Sequence, residues 1–247
     1  MKPFFKLALA CVPLAFVAAC GGGDDLADRL DLANPTVRFV HASPLAPNVT
    51  LYRGTTAQSQ ATNVPYKYAS NYYDIDTSAA DWSVQTSTGN VTIGSVNIDP
   101  KRGNRYTIVA LPASSTASSL YLINDPYNKA LTSTSTRLRV MTASYNPPSI
   151  DVYMTKTSDI SATAPQIAGV AYKTSGPKST DDSLEIPGDT YQLRVTTAGT
   201  KTVLFAGTVA FGNNQDVLIL TVPDAGSSGG IKALVKVGEL ALTEVAP

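Results

Sequence analysis

Apolar and polar residues alternate in short runs along most of the chain after residue 35. Val, Ile, Thr and Tyr dominate these runs, while Gly, Pro, Asn and Asp fill the gaps between them. This pattern is typical of β-strands separated by turns. The predicted strands are 36–42, 48–53, 63–68, 71–76, 81–87, 91–98, 104–111, 119–123, 137–143, 149–154, 168–173, 182–186, 190–197, 202–209, 215–222 and 231–237.

The pattern predicts strands, and no window has the apolar spacing of a long amphipathic helix. We expect an all-β protein made of antiparallel β-sandwiches, immunoglobulin-like or transthyretin-like in general shape. Val37 and Phe39 stand at alternate positions and are expected to face the core. Val49 and Leu51 are expected to do the same. The run 203–210 is apolar on both faces, which favours a central strand.

The chain resembles itself at a distance of about one hundred residues. VRFVHASPLAPNVTLY at 37–52 aligns with LRVMTASYNPPSIDVY at 138–153. Two further pairs follow in the same order, VPYK at 64–67 with VAYK at 170–173, and the strand after Gly103-Asn104 with the strand after Gly212-Asn213. Three matches in one order predict a duplicated unit. We therefore expect two β-sandwich domains, at 36–125 and 137–247, joined by a linker at 126–136.

The start of each unit resembles a bacterial family of domains of unknown function, number 4397, whose members typically begin with V-H-A-S-P-D-A-P followed by V-D-V-Y. The first unit has Leu45 and Thr50 where the family has Asp, and the second has Thr142 where the family has His. The resemblance implies an extracytoplasmic protein, often lipid-anchored, with tandem β domains and no assigned activity. Prolines after a strand end it and redirect the chain. The motif residues are therefore expected to be structural: His41, Ser43, Pro44, Pro47, Ser144 and Pro148.

The N-terminus resembles a bacterial lipoprotein signal peptide. Lys2 and Lys6 precede an apolar run at 7–19, and Val17-Ala18-Ala19 leads to Cys20. Thirteen apolar residues span only about 20 Å as a helix, too little for the ~30 Å core of a bilayer. Residues 1–19 are therefore predicted to be a removed signal, and the resemblance implies acylation of Cys20. Three acyl chains would anchor the protein stably in the membrane.

The residues after Cys20 predict a flexible tether and indicate the cellular location of the protein. Residues 20–35 are rich in Gly and Asp, which indicates a flexible segment between lipid and fold. Gly21 stands where the enterobacterial sorting rule places Asp in lipoproteins that stay in the inner membrane. We therefore expect the cell envelope, and the outer membrane in particular, with the domains facing the periplasm or the cell exterior.

Composition excludes several functions. The chain has 19 basic and 19 acidic side chains. Removal of the signal leaves 17 against 19, so no basic excess exists to bind nucleic acid. Cys11 and Cys20 are the only cysteines, so the predicted mature domains contain no disulfide. No cofactor is predicted.

Candidate catalytic and metal sites are weak. His41 is the only histidine, and Ser43 beside it lies in a proline-bounded turn, which does not favour a Ser-His-Asp site or an ordinary zinc site. The S-x-x-K match at 175–178 contains Gly176-Pro177, which prevents the helix that this motif needs. Acids cluster at Asp74, Asp76, Asp81 and at Asp181, Asp182, Glu185. Neither cluster has a calcium-loop spacing, so solvated loop acids are expected, with calcium as the alternative. No catalytic residue and no metal site is predicted.

Aromatic residues near 66–82 give the one candidate contact surface. Tyr72, Tyr73 and Trp82 lie beside polar loop residues, where exposed rings could stack on a sugar. Our main expectation is a non-enzymatic surface interaction, adhesion or scaffold module with an envelope protein as partner. The alternative is a carbohydrate- or cell-wall-binding module that uses these rings on a polysaccharide.

Overall fold

The structure is a computed structural model that describes residue 30, residues 32–224 and residues 230–247. The predicted signal peptide, Cys20 and most of the predicted tether lie outside the described residues. No helix in the described part of the chain has the length and apolar character needed to cross a membrane.

The first half of the chain forms two sheets. Its strands are β1 (Thr36–His41), β2 (Val49–Arg53), β3 (Thr56–Ala57), β4 (Tyr68–Ala69), β5 (Tyr73–Asp74), β6 (Ala80–Thr86), β7 (Thr92–Ile98), β8 (Arg105–Pro112) and β9 (Ser118–Asp125), with one 3₁₀ turn at Ser59–Ala61. One sheet has the order β4-β1-β8-β9, with β5 also paired to β1. The other sheet has the order β3-β2-β6-β7.

The second half forms two sheets of the same kind. Its strands are β10 (Ser135–Thr142), β11 (Ser149–Thr155), β12 (Ile167–Ala171), β13 (Ser175–Gly176), β14 (Leu184–Pro187), β15 (Thr190–Thr197), β16 (Val203–Ala210), β17 (Asp216–Pro223), β18 (Ile231–Val237) and β19 (Thr243–Glu244). One sheet has the order β13-β10-β17-β18-β19, with β14 also paired to β10, and the other has the order β12-β11-β15-β16. Each strand of the first half thus has a counterpart with the same pairing in the second.

The all-β sandwich fold predicted from the sequence is confirmed. Val37, Phe39, Val49 and Leu51 are fully buried between the two sheets of the first half, as their alternation predicted. One pairing in each half is parallel, β1 with β8 and β10 with β17, which the pattern did not predict. One sheet of each half is therefore mixed, while the other is purely antiparallel.

Equivalent loops of the two halves are held by the same contacts. Lys67 and Lys173 both adopt positive φ, and the N–H of each donates to the carbonyl of the last residue of β1 or β10 at 2.9 Å. Thr50 Oγ1 accepts the N–H of Asn63 at 3.0 Å, and at the same place in the second half Asp151 Oδ1 accepts the N–H of Gly169 at 2.7 Å. The second position of the repeated four-residue segment, VTLY at 49–52 and IDVY at 150–153, therefore carries a side-chain acceptor for the neighbouring loop in both halves.

A third apolar cluster joins the two halves. Val40, Ala42, Val109, Leu111 and Ile123 of the first half pack with a set of residues from the second. That set is Met141, Ala143, Leu218, Leu220, Val222, Leu234 and Leu242. Strands β1, β8, β10 and β17 are therefore buried on both faces, with one face toward their own sandwich core and the other toward the other half.

The expectation for 203–210 was wrong. Strand β16 pairs only with β15 and lies at the edge of its sheet, with Val203 47% exposed. The C-terminal residues pack against its core-facing side, since a Cβ on Gly207 would lie 2.7 Å from the carbonyl oxygen of Ala246. Strand β9 ends at Asp125 and β10 begins at Ser135, and the two-residue strands β3, β13 and β19 were not predicted.

Candidate functional site

The first motif turn is closed around a buried histidine. His41 ends β1 with no exposed surface, its Nε2 lies 3.2 Å from the carbonyl of Pro47, and the N–H of Ser43 donates to its Nδ1 at 3.4 Å. Burial lowers the pKa of His41, against the opposing effect of the Pro47 carbonyl. Ser43 Oγ is hydrogen-bonded to Ser118 Oγ at 2.7 Å, and Pro44 lies at the rim. Both ring nitrogens are engaged within the turn, so this imidazole is not placed to act as a base on a substrate.

The second motif turn uses other side chains for the same closure. Thr142 Oγ1 donates to the carbonyl of Val170 at 3.1 Å, and Ser144 Oγ donates to the carbonyl of Asn146 at 2.7 Å. The carbonyl of Pro148 accepts the N–H of Tyr172 at 2.8 Å. These contacts are all internal to the fold, and they hold the chain between β10 and β11.

The three aromatic candidates do not share a surface. Trp82 is fully buried in the first sandwich core. Tyr73 packs against the same core, and burial raises the pKa of its phenol. Tyr72 instead lies between the halves, with the Arg38 guanidinium 4.5 Å from its ring centre and its hydroxyl 3.0 Å from Thr107 Oγ1. The structure therefore forms no exposed stacking platform from Tyr72, Tyr73 and Trp82.

Three of the six clustered acids, Asp76, Asp81 and Asp182, each accept hydrogen bonds from a different side chain. Asp76 forms a bidentate pair with Arg53, at 2.6 and 2.7 Å, which with the N–H of Ser78 lowers the pKa of that carboxyl. Asp81 accepts from the Asn97 amide at 2.7 Å, and Asp182 accepts from the amide of Asn128. Within the described ranges, no three acid or histidine side chains gather as a metal site would require. Ser175 of the S-x-x-K match donates to the carbonyl of Pro177 at 2.8 Å.

The structure reveals an open cleft that the sequence did not indicate. It has a volume of about 620 Å³ and lies where β12 and β13 meet β9 of the first half. Ile167, Val170 and Ser175 form its buried floor, and Ala168 and Lys178 stand exposed at its rim. Its remaining lining residues are Tyr121, Gly169, Ala171, Thr174, Gly176, Pro177, Ser179 and Asp181.

Two features shape this cleft. A Cβ on Gly176 would lie 2.4 Å from Ile167 Cγ2, so only glycine allows β13 to approach β12 this closely. The loop that follows β13 is tied to the first half, because Ser179 Oγ accepts the N–H of Asn124 at 2.9 Å and the N–H of Thr180 donates to the Asn124 carbonyl at 2.7 Å. The cleft wall is therefore held by contacts between the two halves.

A second feature missed by the sequence reasoning is a layer of charge between the halves. Arg137, which is 6% exposed, donates to Asp125 at 3.0 Å and to Asp216 at 2.9 Å. These two carboxylates raise the pKa of Arg137 in spite of its burial. Tyr127 hydroxyl donates to Asp216 at 2.8 Å, and the Arg105 guanidinium lies 3.3 Å from the Tyr127 ring centre.

One part of the chain matches a known family model. Residues 35–153 match the model of a domain of unknown function, DUF4397. The matched stretch runs from just before β1 through the whole first half and on through β10 into β11. No curated protein is significantly similar to the chain in sequence.

A similar solved structure is a CBM26-family module of Amy13K from Eubacterium rectale, in complex with maltoheptaose. The identity is 10%, the match covers 83% of this chain and 97% of that chain, and the TM-score is 0.25.

Proposed function

We propose that the protein is a lipid-anchored, non-enzymatic binding module of the bacterial cell envelope, and that the cleft between β12, β13 and β9 is its ligand-binding surface. The cleft is the observation that carries the proposal. Its volume of about 620 Å³ falls within the range of roughly 300–1,000 Å³ that is typical of ligand sites. Its apolar floor and its rim of hydroxyl and charged groups have the usual composition of such sites.

The side chains favour binding over catalysis. The one histidine is closed within its own turn. Lys178 and Asp181 at the cleft are exposed, and Ser175 at its floor is hydrogen-bonded to a backbone carbonyl. The described cleft residues therefore bring together no nucleophile, base and orienting group.

The two halves are proposed to be two copies of the DUF4397 domain. The equal strand order supports this, as do the left-handed lysines at 67 and 173 and the loop acceptors Thr50 and Asp151. Anchoring through Cys20 rests on the signal-like N-terminus. Cys20→Ser should prevent incorporation of a palmitate analogue and release the protein from the membrane fraction of its host.

Site-specific photo-crosslinking on cells tests the cleft. We expect benzoylphenylalanine in place of Ala168 at the rim to give a discrete protein adduct. The same group in place of Asn90, which is exposed on the turn between β6 and β7, should give none. Co-sedimentation with peptidoglycan and surface polysaccharide is the parallel assay, with Tyr121→Ala beside the wild type. Binding that Tyr121→Ala loses would make the ligand a carbohydrate. Failure of both assays would overturn the proposed surface.

A further inference from the structure

A small cavity lies between the facing sheets of the two halves. It offers about 20 Å³ of space to the centre of a water-sized molecule. Its charged lining consists of Arg38, Arg137, Arg139, Asp125 and Asp216. Three guanidiniums thus face two carboxylates among the described residues that line it.

Both carboxylates, those of Asp125 and Asp216, form ion pairs with Arg137. Arg137 holds Asp125 and Asp216 at about 3 Å, one with each η nitrogen. Ser183 Oγ donates to Asp125 at 3.1 Å, and Lys129 Nζ lies 3.6 Å from Asp216. The charge of these acids is therefore largely balanced before Arg38 and Arg139 are counted.

Arg38 and Arg139 are buried, and their hydrogen bonds go to neutral acceptors. Arg38 is 7% exposed, and its Nε donates to the neutral Thr107 Oγ1 at 2.9 Å. Arg139 is 3% exposed, and its η nitrogens donate to the backbone carbonyls of Pro177, Lys178 and Asp181 at 2.6–2.7 Å. A carboxylate oxygen of Asp125 lies 3.7 Å away, and the buried Arg139 Nε has no hydrogen-bond partner.

A buried guanidinium needs an anion because it cannot lose its proton. A lysine can relieve the same cost by deprotonation, and Lys236 near Arg38 shows this, since burial lowers its pKa to about 8. For Arg38 and Arg139 the remaining route is compensation by a negative group in contact with them.

We propose that the cavity binds one monovalent inorganic anion of chloride size, held between Arg38 of the first half and Arg139 of the second. A site for one water occupies about 10–15 Å³, so the cavity has room for one small ion. A negative ion also suits the lining, which has more arginines than aspartates. The bound ion bridges the two halves beside the Arg137–Asp125 pair, which also crosses between them.

The ³⁵Cl NMR line width tests the site directly. The full chain, purified in a neutral detergent and titrated with chloride, should broaden the line in a saturable manner. Bromide should displace the effect at millimolar excess, whereas sulfate at equal ionic strength should not. The midpoint of thermal unfolding should rise with chloride as ln(1 + [Cl⁻]/Kd) and should stay constant in gluconate.

Two variants locate the ion. Arg38→Met should abolish the saturable broadening, and Arg102→Met, at an exposed arginine that contacts Leu32 and Asn34, should preserve it. Crystals soaked in bromide give an independent measurement on the wild type, where an anomalous peak is expected between Arg38 and Arg139. No displaceable broadening, equal broadening in Arg38→Met, or no anomalous peak at the cavity would each overturn the proposal.

Discussion

The packing of the two halves predicts that they unfold together. Leu220 of β17 is fully buried in the cluster that joins the halves. Trp82 is the only tryptophan of the chain and lies in the core of the first sandwich, so its fluorescence reports on the first half alone. We expect Leu220→Ala, a change in the second half, to shift the unfolding transition that Trp82 reports.

The size of the shift follows from the burial of Leu220. A fully buried Leu→Ala substitution costs about 3 kcal/mol through lost burial and the cavity that remains. For a domain of roughly 150–250 residues each kcal/mol lowers Tm by about 2–4 °C, so a fall of about 6–12 °C is expected. Trp82 emission and far-UV circular dichroism should show the same shift. Leu240→Ala, at a side chain that is 67% exposed, should stay within about 0.5 kcal/mol of the wild type.

One result would refute this reasoning. If Leu220→Ala lowers the transition seen by circular dichroism while the Trp82 transition stays where it is, the halves unfold independently. The buried cluster between them would then contribute little to the stability of the first sandwich.

Three further predictions concern single buried groups and are measured by urea unfolding. Because burial lowers the pKa of His41 below 6.5, the unfolded chain binds the proton more readily, and the wild type should lose stability relative to His41→Thr as the pH falls from about 7 to about 5. The pKa of Lys236 is lowered to about 8, so the unfolded chain binds more protons above that pH, and the wild type should gain stability relative to Lys236→Met between about pH 8 and pH 10. Asp151 accepts the N–H groups of Gly169 and Gly199 at 2.7 and 2.8 Å, so Asp151→Ala should cost about 3 kcal/mol and Asp151→Asn less.

Each of these predictions has a clear contrary outcome. Stability curves of the wild type and His41→Thr that run parallel across the acid range would mean that the buried imidazole titrates as it does in the unfolded chain. Parallel alkaline curves for the wild type and Lys236→Met would mean the same for the ammonium near Arg38. Equal stability of Asp151→Ala and Asp151→Asn would show that the two loop N–H groups find other partners.

Alternation along the chain was enough to predict most strands. Strands β15 and β18 have the predicted bounds, and the other long strands differ by one or two residues. The two-residue strands β3, β13 and β19 were not predicted because a pair of residues has no period to detect. Strand β13 also depends on Gly176 fitting against Ile167, which is a contact between distant segments and leaves no local pattern.

The sequence itself contained a reason why Tyr72, Tyr73 and Trp82 do not form one exposed surface. Trp82 stands two residues before Val84 in β6 and alternates with polar neighbours, which places its ring on the core face of the strand. Tyr72 and Tyr73 are consecutive, so they point in different directions and could not present one face. The alternation of side chains along a strand therefore predicts which aromatic rings are buried better than the local number of aromatic residues does.

The packing of the halves was harder to foresee. Strands β8 and β17 are apolar over nearly every position, as is typical of strands covered on both sides. Arg38 and Arg139 interrupt the apolar pattern of β1 and β10, and the local sequence does not show that they are buried. Their burial depends on acceptors from other segments, Thr107 for one and the loop 177–181 for the other.

Strands β1 and β10 each have one face toward a sandwich core and the other toward the space between the halves, which explains their composition. Phe39 and Val140 point to the sandwich cores, while Arg38, Val40 and Arg139 point to the space between the halves. Apolar contacts alone would tolerate several alignments of two flat sheets, because they have no preferred direction. The pairs that Arg137 and Arg139 of β10 form with Asp125 of β9 cross between the halves and favour one alignment, since a slip would leave these buried charges without partners. The charged layer thus fixes the relative position of the halves, and with it the shape of the cleft whose wall Arg139 holds.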